Sequence, residues 1–366
     1  MKRIALYLFF AVGICHLAIA QTVQTVTSLG DELKENSGMA HYGGGILYFV
    51  NDGGNAAQVY RFDTTQNDFI AFNVTNATNT DWEDLATDDQ RNLYIGDFGN
   101  NGNTRQDLKI YKSVNPEAVF ANQLTVDTIS FSYSNQSAFP PAANKLNFDC
   151  EAMVWYQDSL YLFTKNRTNP YDGWCYMYVL PDKPGAYVAR LKDSVQFNAS
   201  AKEFGWITSA DVRGDSLLLL SSNQVHLGTG FGAKSLEAMD WSIYSLGFSQ
   251  KEAVAFGATS TDIFISDELN IIGNKLYYLN IGQTASVDEL VTQKFDVRKT
   301  SSVLRISLQE RSPATIYVFS ILGPKMLSQT FDKELTLSGN YLPAGTYIVQ
   351  LFIGGENYSL KWAKTE

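Results

Sequence analysis

Five segments of this 366-residue sequence begin with a side chain that offers an oxygen ligand. The segments begin with the tetrads Ser37-Gly-Met-Ala40, Glu83-Asp-Leu-Ala86, Glu151-Ala-Met-Val154, Thr208-Ser-Ala-Asp211 and Glu252-Ala-Val-Ala255. A little further on, each segment has an apolar run that ends on a second polar residue, and these residues are Asn51, Asp97, Thr164, Ser221 and Asp267. Oxygen ligands of this kind suit a hard cation, above all Ca²⁺.

Superposing the segments places the carboxylates of Glu83, Glu151 and Glu252 in one column. Three carboxylates held close together would repel one another unless a cation or a shared proton relieved them. One interpretation is that these residues bind a metal, with Ca²⁺ as the possible cofactor. The residues expected to line a ligand channel beside them are Ser37, Asn51, Asp97, Thr208 and Asp267. The alternative is that the leading polar residues hydrogen-bond the next repeat and hold the repeats together.

A hydrolase would also need a base. His41 directly follows the first tetrad, so it could act on metal-bound water. A single histidine on a strand is more often a packed or surface residue. The sequence contains no Gly-x-Ser-x-Gly motif, and the glycine-rich segment 98–103 precedes no helix, so nucleophile-elbow and phosphate-loop chemistry are not indicated.

The repeated segments predict a β-propeller, which is built from small four-stranded antiparallel sheets arranged around a central channel. Tyrosine-bearing strands follow each apolar strand, and a fourth strand follows where the spacing allows it. The last repeat lacks an outer strand, which the alternating segment 22–29 could supply. The fold class is therefore all-β, with five blades or with a sixth in the divergent stretch 223–241.

Composition limits the partners. The net charge is −10 and the pI is near 4.9, so the surface repels phosphate backbones and nucleic acid is not an expected partner. Cys15 precedes the expected cleavage site, which leaves Cys150 and Cys175 as a disulfide or as two buried free thiols.

The first twenty residues have the pattern of a signal peptide. Lys2 and Arg3 form a positive region, an apolar run follows, and Ala18-Ile-Ala20 offers small residues for cleavage before Gln21. No other segment is long and apolar enough to predict a transmembrane span. The predicted divisions are 1–20 signal peptide, 21–295 propeller, 296–302 polar linker and 303–366 small β-sandwich.

The C-terminal segment resembles the sorting domain of the type IX (Por) secretion system. The resemblance is carried by the stretch 316–323, by Leu342-Pro-Ala-Gly-Thr-Tyr347 and by a final strand with Lys361 and Lys364. It implies export through the outer-membrane machinery and a secreted protein or one attached to the surface of a Gram-negative bacterium. The opening Asn-Pro of that family is absent, and Trp362-Ala363 interrupts the basic tail.

The propeller repeats resemble exported propellers that include phytase-like esterases and, more distantly, calcium-dependent lactonases. The residues that carry this resemblance are Glu83-Asp-Leu-Ala86, Ser37-Gly-Met-Ala40 and Asn51-Asp-Gly-Gly54. The expected function is binding of a small-molecule, glycan or protein ligand at the channel face, without turnover. The alternative is a Ca²⁺-dependent esterase, lactonase or phosphoesterase with His41 as base.

Overall fold

A computed structural model of the protein describes residues 23–197, 202–246, 249–269, 273–282, 295–300, 302–320, 325–338, 342–353 and 356–364. The predicted signal peptide, residues 1–20, lies outside these ranges. Within them, no helix has the length and apolar character needed to cross a membrane. The one α-helix, α1, is short (Lys202–Gly205).

The described residues up to 282 form five units of the propeller type, called blades 1 to 5 here, and two of the blades share one sheet. The N-terminal strand is β1 (Val23–Ser28). Blade 1 contains β2 (Asn36–Gly43), β3 (Ile46–Asn51), β4 (Gln58–Asp63) and β5 (Asp68–Val74). Blade 2 contains β6 (Trp82–Thr87), β7 (Leu93–Asp97), β8 (Lys109–Ser113) and β10 (Val126–Tyr133). The short β9 (Gln123–Leu124) lies between β8 and β10 in the chain but belongs to the blade 1 sheet.

Blade 3 contains β11 (Cys150–Tyr156), β12 (Ser159–Thr164), β13 (Trp174–Pro181) and β14 (Gly185–Gln196). Blade 4 contains β15 (Ile207–Arg213), β16 (Ser216–Ser221), β17 (Gln224–Thr229) and β18 (Asp240–Ser245). Blade 5 contains β19 (Lys251–Phe256), β20 (Asp262–Asp267) and β21 (Lys275–Asn280). The stretch 223–241, considered for a further blade, supplies the third strand of blade 4 and the start of the fourth.

The first strands of the blades form a closed ring. β2 contacts β6, and the contacts continue through β11, β15 and β19 back to β2. N-terminal β1 pairs with β21 as the fourth strand of blade 5, as the sequence predicts. This pairing covers a sheet edge that would otherwise be open to other chains.

The second strands are buried on both faces. Leu217 to Leu220 in β16 are fully buried, with two of the leucines packed toward blade 3 and two toward blade 5. Uninterrupted apolar runs suit strands that are covered on both faces, whereas alternation suits the half-exposed outer strands. The core therefore lies between neighbouring blades.

Blades 2 and 3 are also joined at their outer edges. β10 pairs in parallel with the first half of β14, from Ile129–Gly185 to Tyr133–Ala189, so the two blades form one eight-stranded sheet. The short β9 pairs in parallel with β5 and so adds residues of the blade 2 connection to blade 1.

The C-terminal segment forms two packed antiparallel sheets that share one apolar core. The first sheet contains β22 (Phe295–Lys299), β23 (Val303–Leu308) and β26 (Glu334–Ser338). The second contains β24 (Ala314–Ser320), β25 (Lys325–Phe331), β27 (Gly345–Ile353) and β28 (Glu356–Lys364). The predicted linker 296–302 needs correction, because most of it belongs to β22, which pairs with β23.

Cys150 and Cys175 are buried free thiols in blade 3, so the structure has no disulfide between them. They lie on β11 and β13, with β12 between the two strands. Strands two places apart in a sheet are separated by about 9.5 Å. A disulfide requires Cα atoms within about 7 Å, so the sheet itself excludes the bond.

Candidate functional site

The five tetrads begin at equivalent positions of the ring. In every blade, the register between the first and second strands shifts at the leading residue of the tetrad. Such β-bulges leave one residue without a ladder partner and redirect its side chain. The bulge residues are Ser37, Glu83, Glu151, Thr208 and Glu252. They define one end of the channel, called the channel mouth here.

The two bulge hydroxyls connect neighbouring blades. Ser37 Oγ donates to the carbonyl of Glu83 at 2.7 Å, which joins blade 1 to blade 2. Thr208 Oγ1 donates to the carbonyl of Lys251 at 2.8 Å, which joins blade 4 to blade 5. Both hydroxyls are buried. Their observed partners are protein groups, so they form the interblade lock that the sequence left as an alternative to ligand binding.

Asp84 makes a third connection between blades, which reaches from blade 2 to blades 3 and 4. Its Oδ2 accepts hydrogen bonds from the amides of Met153 at 2.8 Å and Ala210 at 3.2 Å, and its Oδ1 accepts from Ser209 Oγ at 3.0 Å. The side chain is fully buried. Burial raises the pKa of Asp84 well above its usual value, while hydrogen bonds from the Met153 and Leu85 amides act in the opposite direction. One carboxyl thus joins blades 2, 3 and 4 at the axis.

Lys165 lies among the three bulge glutamates. Its ammonium Nζ is 3.0 Å from Glu151 Oε2. Burial alone would lower the pKa of Lys165, but attraction to Glu151, Glu252 and Glu83 raises it. Arg167 Nη2 lies 3.1 Å from the other carboxylate oxygen of Glu151.

These contacts correct the metal site expected at Glu83, Glu151 and Glu252. Glu151 is neutralised by Lys165 and Arg167, so an ammonium group provides the positive charge that the sequence analysis assigned to a metal. Among the described residues, the carboxylates close enough to share one ion are those of Asp52, Asp81 and Glu83.

This trio is called the acidic trio here. Its ligand oxygens lie within 4.8 Å of one another. Asp52 directly follows β3, Asp81 directly precedes β6 and Glu83 is the blade 2 bulge residue. Burial, followed by repulsion from Asp52, raises the pKa of Asp81 to about 6. Burial, followed by repulsion from Glu151 and Asp52, raises the pKa of Glu83 well above its usual value.

Two glycines leave space for these carboxylates. A Cβ on Gly99 would lie 2.6 Å from Asp81 Cγ and would also meet Glu83 Oε1. A Cβ on Gly53 would lie 2.5 Å from Asp81 Oδ1. Any larger residue at either position would push the carboxylates aside, so the trio depends on glycine at both.

The fully buried carboxylate of Asp97 lies beside the trio. Its Oδ1 accepts from the amide of Asp81 at 3.1 Å and from Arg105 Nη2 at 2.9 Å. Its Oδ2 is buried and accepts no hydrogen bond from the described residues. Buried oxygens of this kind ordinarily have a partner.

Three of the predicted ligand-channel residues, Asn51, Asp97 and Asp267, are buried. Each ends a second strand, opposite the residue that precedes a bulge. Asp267 accepts from Lys251 Nζ at 2.9 Å and from Tyr277 OH at 2.6 Å. Asn51 Nδ2 donates to the Glu32 carbonyl at 2.8 Å. Asp267 is therefore held by protein groups, whereas Asn51 Oδ1, like Asp97 Oδ2, has no partner among the described residues.

His41 also differs from its predicted place as a base near the metal. It lies four positions after Ser37 on β2, so it is roughly 13 Å along the strand from the channel mouth. Its ring packs on Phe264 at 5.6 Å between centroids. Burial, with a contribution from Arg213, lowers its pKa. His41 therefore belongs to the opposite end of the ring.

Sequence reasoning missed Asp52 and Asp81 because neither occupies the repeated position. The available signals were an acidic residue directly before Gly53 and another two positions before Glu83. Lys165 and Arg167 gave no signal, since they follow β12 in a loop whose path depends on the ring. Trp206, one of the tryptophans near the blade starts, lies beside this loop, and its indole Nε1 donates to the Asn166 carbonyl.

Glu252 allows a test of the electrostatics. Burial raises its pKa to about 8, with attraction to Lys165 opposing this and repulsion from Glu151 adding to it. A folded-state pKa above the unfolded value gives stability that is full below about pH 4.5 and is lost as the pH rises towards 8. We expect Glu252→Gln to match the wild type at pH 5 and to exceed it at pH 8 by at least about 1 kcal/mol.

The measurement is urea unfolding of both proteins across this pH range in the presence of EDTA. Glu237, an exposed residue in the turn before β18, provides the matched control, and Glu237→Gln should follow the wild type throughout. A Glu252→Gln variant as pH-dependent as the wild type would contradict the assigned charge environment.

No known protein family and no curated protein matches this sequence. Among solved structures, an aldose sugar dehydrogenase from Streptomyces coelicolor in its PQQ-bound form is 10% identical, with a TM-score of 0.45 over 72% of this chain and 98% of that one. The Malassezia sympodialis allergen Mala s 1 is 8% identical, with a TM-score of 0.39 over 74% and 98%. The extracellular domain of a putative one-component system from B. thetaiotaomicron is 8% identical, with a TM-score of 0.34. The alignment with that domain covers 95% of this chain and 58% of the other. None of these similarities assigns the chain to a family.

Proposed function

We propose that this protein is an exported propeller that binds a ligand at its channel mouth with the help of one divalent cation, Ca²⁺, held by Asp52, Asp81 and Glu83. The observation that carries the proposal is the acidic trio itself, whose oxygens lie within 4.8 Å of one another. Carboxylates are preferred ligands of Ca²⁺, and its flexible coordination leaves positions for water or a ligand.

The charge balance around the trio supports a cation. Lys165 makes its ion pair with Glu151, and Arg167 makes its pairs with Asp149 and Glu151. Among the described residues, none of the ion pairs includes a carboxylate of the trio. Carboxylates packed this closely favour either protonation or a bound cation.

Two further features are consistent with a cation here. The free Oδ2 of Asp97 belongs to a carboxylate that hydrogen-bonds Asp81. Glycine at position 99 lets the carboxylates of Asp81 and Glu83 occupy the place of a side chain, because a Cβ there would lie 2.6 Å from Asp81 Oδ2. A cation would give a positive partner to the buried carboxylate of Glu83 and to the half-buried carboxylates of Asp52 and Asp81.

We propose binding rather than hydrolysis. The hydrolase alternative relied on His41 as base, and the structure places that ring near Phe264, away from the channel mouth. The bulge hydroxyls of Ser37 and Thr208 donate to backbone carbonyls, so they are held in the lock between blades.

We further propose that the C-terminal sandwich directs export by the type IX route and that the protein is secreted or attached to the outer cell surface. The motif that carries the resemblance is ordered around Tyr347, whose hydroxyl donates to the Pro343 carbonyl at 2.5 Å. Deleting residues 303–366 in a host with that secretion system should retain the propeller inside the cell. Export of the truncated protein would contradict the proposal.

Calcium titration tests the metal site. We expect a saturating concentration of Ca²⁺, about 100 times its Kd, to stabilise the protein by about 2.7 kcal/mol. For a domain of this size, that corresponds to a rise in Tm of roughly 5–10 °C. Asp81→Asn should lose most of this shift, while Asp127→Asn, a change at an exposed strand residue, should keep it.

Isothermal titration calorimetry of the EDTA-treated protein measures the same site directly, with one ion bound per chain as the expected result. Absence of bound Ca²⁺, or equal binding by Asp81→Asn, would overturn the proposed function.

A further inference from the structure

A group of positive side chains surrounds one indole at the channel mouth. Arg167 Cζ lies 4.6 Å from the centroid of the Trp206 ring, Lys202 Nζ lies at 4.8 Å and Lys165 Nζ at 5.9 Å. These residues and Trp206 are called the cationic cage here. Cations lie favourably over an indole face, but several of them around one ring also repel one another.

The cage is fixed in place by the blade 3 acids. Arg167 Nε lies 2.6 Å from Asp149 Oδ2, and its Nη2 contacts Glu151 and Asn101. Lys165 Nζ donates to Glu151 Oε2 at 3.0 Å. A guanidinium held by several partners needs little further ordering when a ligand binds.

The cage retains unused donors. Arg167 Nη1 donates no hydrogen bond among the described residues. Lys165 Nζ, on a buried side chain, donates to Glu151 alone. Lys202 is exposed and forms no ion pair within the described part of the chain. Donors of this kind, on a guanidinium and an ammonium, are suited to a carboxylate or a phosphate.

The cage lies next to the acidic trio. Arg167 Nη2 contacts the side chain of Asn101, two positions after Gly99, and a Cβ on Gly99 would meet Glu83 Oε1 and lie 2.6 Å from Asp81 Cγ. The strands that carry Glu83 and Glu151, β6 and β11, are neighbours in the ring, and Glu151 is the partner of both Lys165 and Arg167. Without a cation, the trio repels an approaching anion. With Ca²⁺ bound, this repulsion falls and the metal offers open coordination positions to oxygens of the same ligand.

We propose that the ligand of this protein is a small hydroxylated molecule that carries a carboxylate or a phosphate, bound with its anionic group on the cationic cage and its hydroxyl oxygens toward the Ca²⁺ of the acidic trio. This inference rests on the proposed calcium site and extends it by naming the class of ligand. Binding of the metal and binding of the anion must strengthen each other by the same factor.

Calorimetry with three probes tests the proposal: galacturonate, glucose 6-phosphate and neutral glucose. We expect at least one anionic probe to bind the calcium-loaded protein at least tenfold more tightly than glucose. Removing Ca²⁺ with EDTA should lower the affinity of the protein for that anionic probe at least tenfold. The probe, in turn, should raise the affinity for Ca²⁺ by the same factor. The tighter of the two anions identifies the anionic group.

Variants separate this proposal from the calcium site. Lys202→Ala should lower the affinity for the anionic probe several-fold. The Ca²⁺ affinity measured without the probe should be unchanged. Arg167→Lys keeps the positive charge but loses the two-pronged guanidinium group. This variant should lower the affinity for the anionic probe further than Lys202→Ala does. Lys192→Ala, a change at an exposed residue of β14, is the matched control.

The possible outcomes are distinct. Calcium binding with no preference for either anion over glucose, or with an anion affinity unaffected by Lys202→Ala and Arg167→Lys, would overturn this inference and leave the calcium site standing. Failure of Ca²⁺ to bind in the absence of any probe would overturn both.

Discussion

Asp84→Ala is expected to lower the free energy of unfolding by about 3 kcal/mol or more. The substitution leaves the buried amides of Met153 and Ala210 and the hydroxyl of Ser209 without the acceptor they now share. Each buried donor without a partner costs about 1–3 kcal/mol. Urea unfolding and a fall in Tm of roughly 6–12 °C would measure the effect.

Asp84→Asn is a sharper form of this experiment. The amide oxygen of Asn can still accept from the Met153 and Ala210 amides, but its NH₂ group would face the Leu85 amide and Ser209 Oγ, which now donate to Oδ1. We therefore expect Asn to recover only part of the loss. Asp89→Ala, at an exposed residue in the turn after the same strand, is the control and should stay within about 0.5 kcal/mol of the wild type. A stable Asp84→Ala protein would show that the crossing hydrogen bonds contribute little to the ring.

Gly99→Ala is expected to weaken Ca²⁺ binding at least 100-fold while preserving the fold. The added Cβ would meet Glu83 Oε1 and would lie 2.6 Å from Asp81 Oδ2. Both contacts are with the ends of side chains that can rotate away, so the cost falls on the geometry of the acidic trio rather than on the backbone. Calorimetric titration with Ca²⁺ measures the affinity, and the Tm in EDTA measures the fold.

Gly102→Ala is the matched control for this prediction, because it adds the same methyl group in the same loop. Its nearest neighbour would be Thr104 Oγ1 at 3.4 Å, an ordinary contact. We expect its Ca²⁺ affinity to equal that of the wild type. If Gly99→Ala also retained full affinity, the ion would not lie between Asp81 and Glu83.

The blades themselves could be predicted from the sequence. The apolar runs, such as 217–220, repeat along the chain and follow from the local needs of a strand buried between neighbours. The oxygen-bearing residue at the second position of each first strand repeats with them. The closing role of β1 was also predictable, because the last repeat lacked an outer strand and an unpaired alternating segment was available.

The roles of the side chains at the mouth could not be predicted in the same way. Glu83 and Asp84 are adjacent acids in one tetrad, yet one belongs to the trio and the other ties the ring together. The difference arises from a bulge that sends neighbouring side chains in different directions, and from donors on blades far away in sequence. Lys165 likewise gains its partners only when the ring closes.

The parallel pairing of β10 with β14 has a consequence for the mouth. Asp81 and Glu83 are supplied by the chain of blade 2, while Lys165 and Arg167 come from blade 3. The same two blades are bonded at the rim from Ile129–Gly185 to Tyr133–Ala189. A hinge-like opening between the two blades would break main-chain hydrogen bonds at their outer edges. The pairing of β10 with β14 therefore keeps Asp81 and Glu83 at a fixed distance from Lys165 and Arg167.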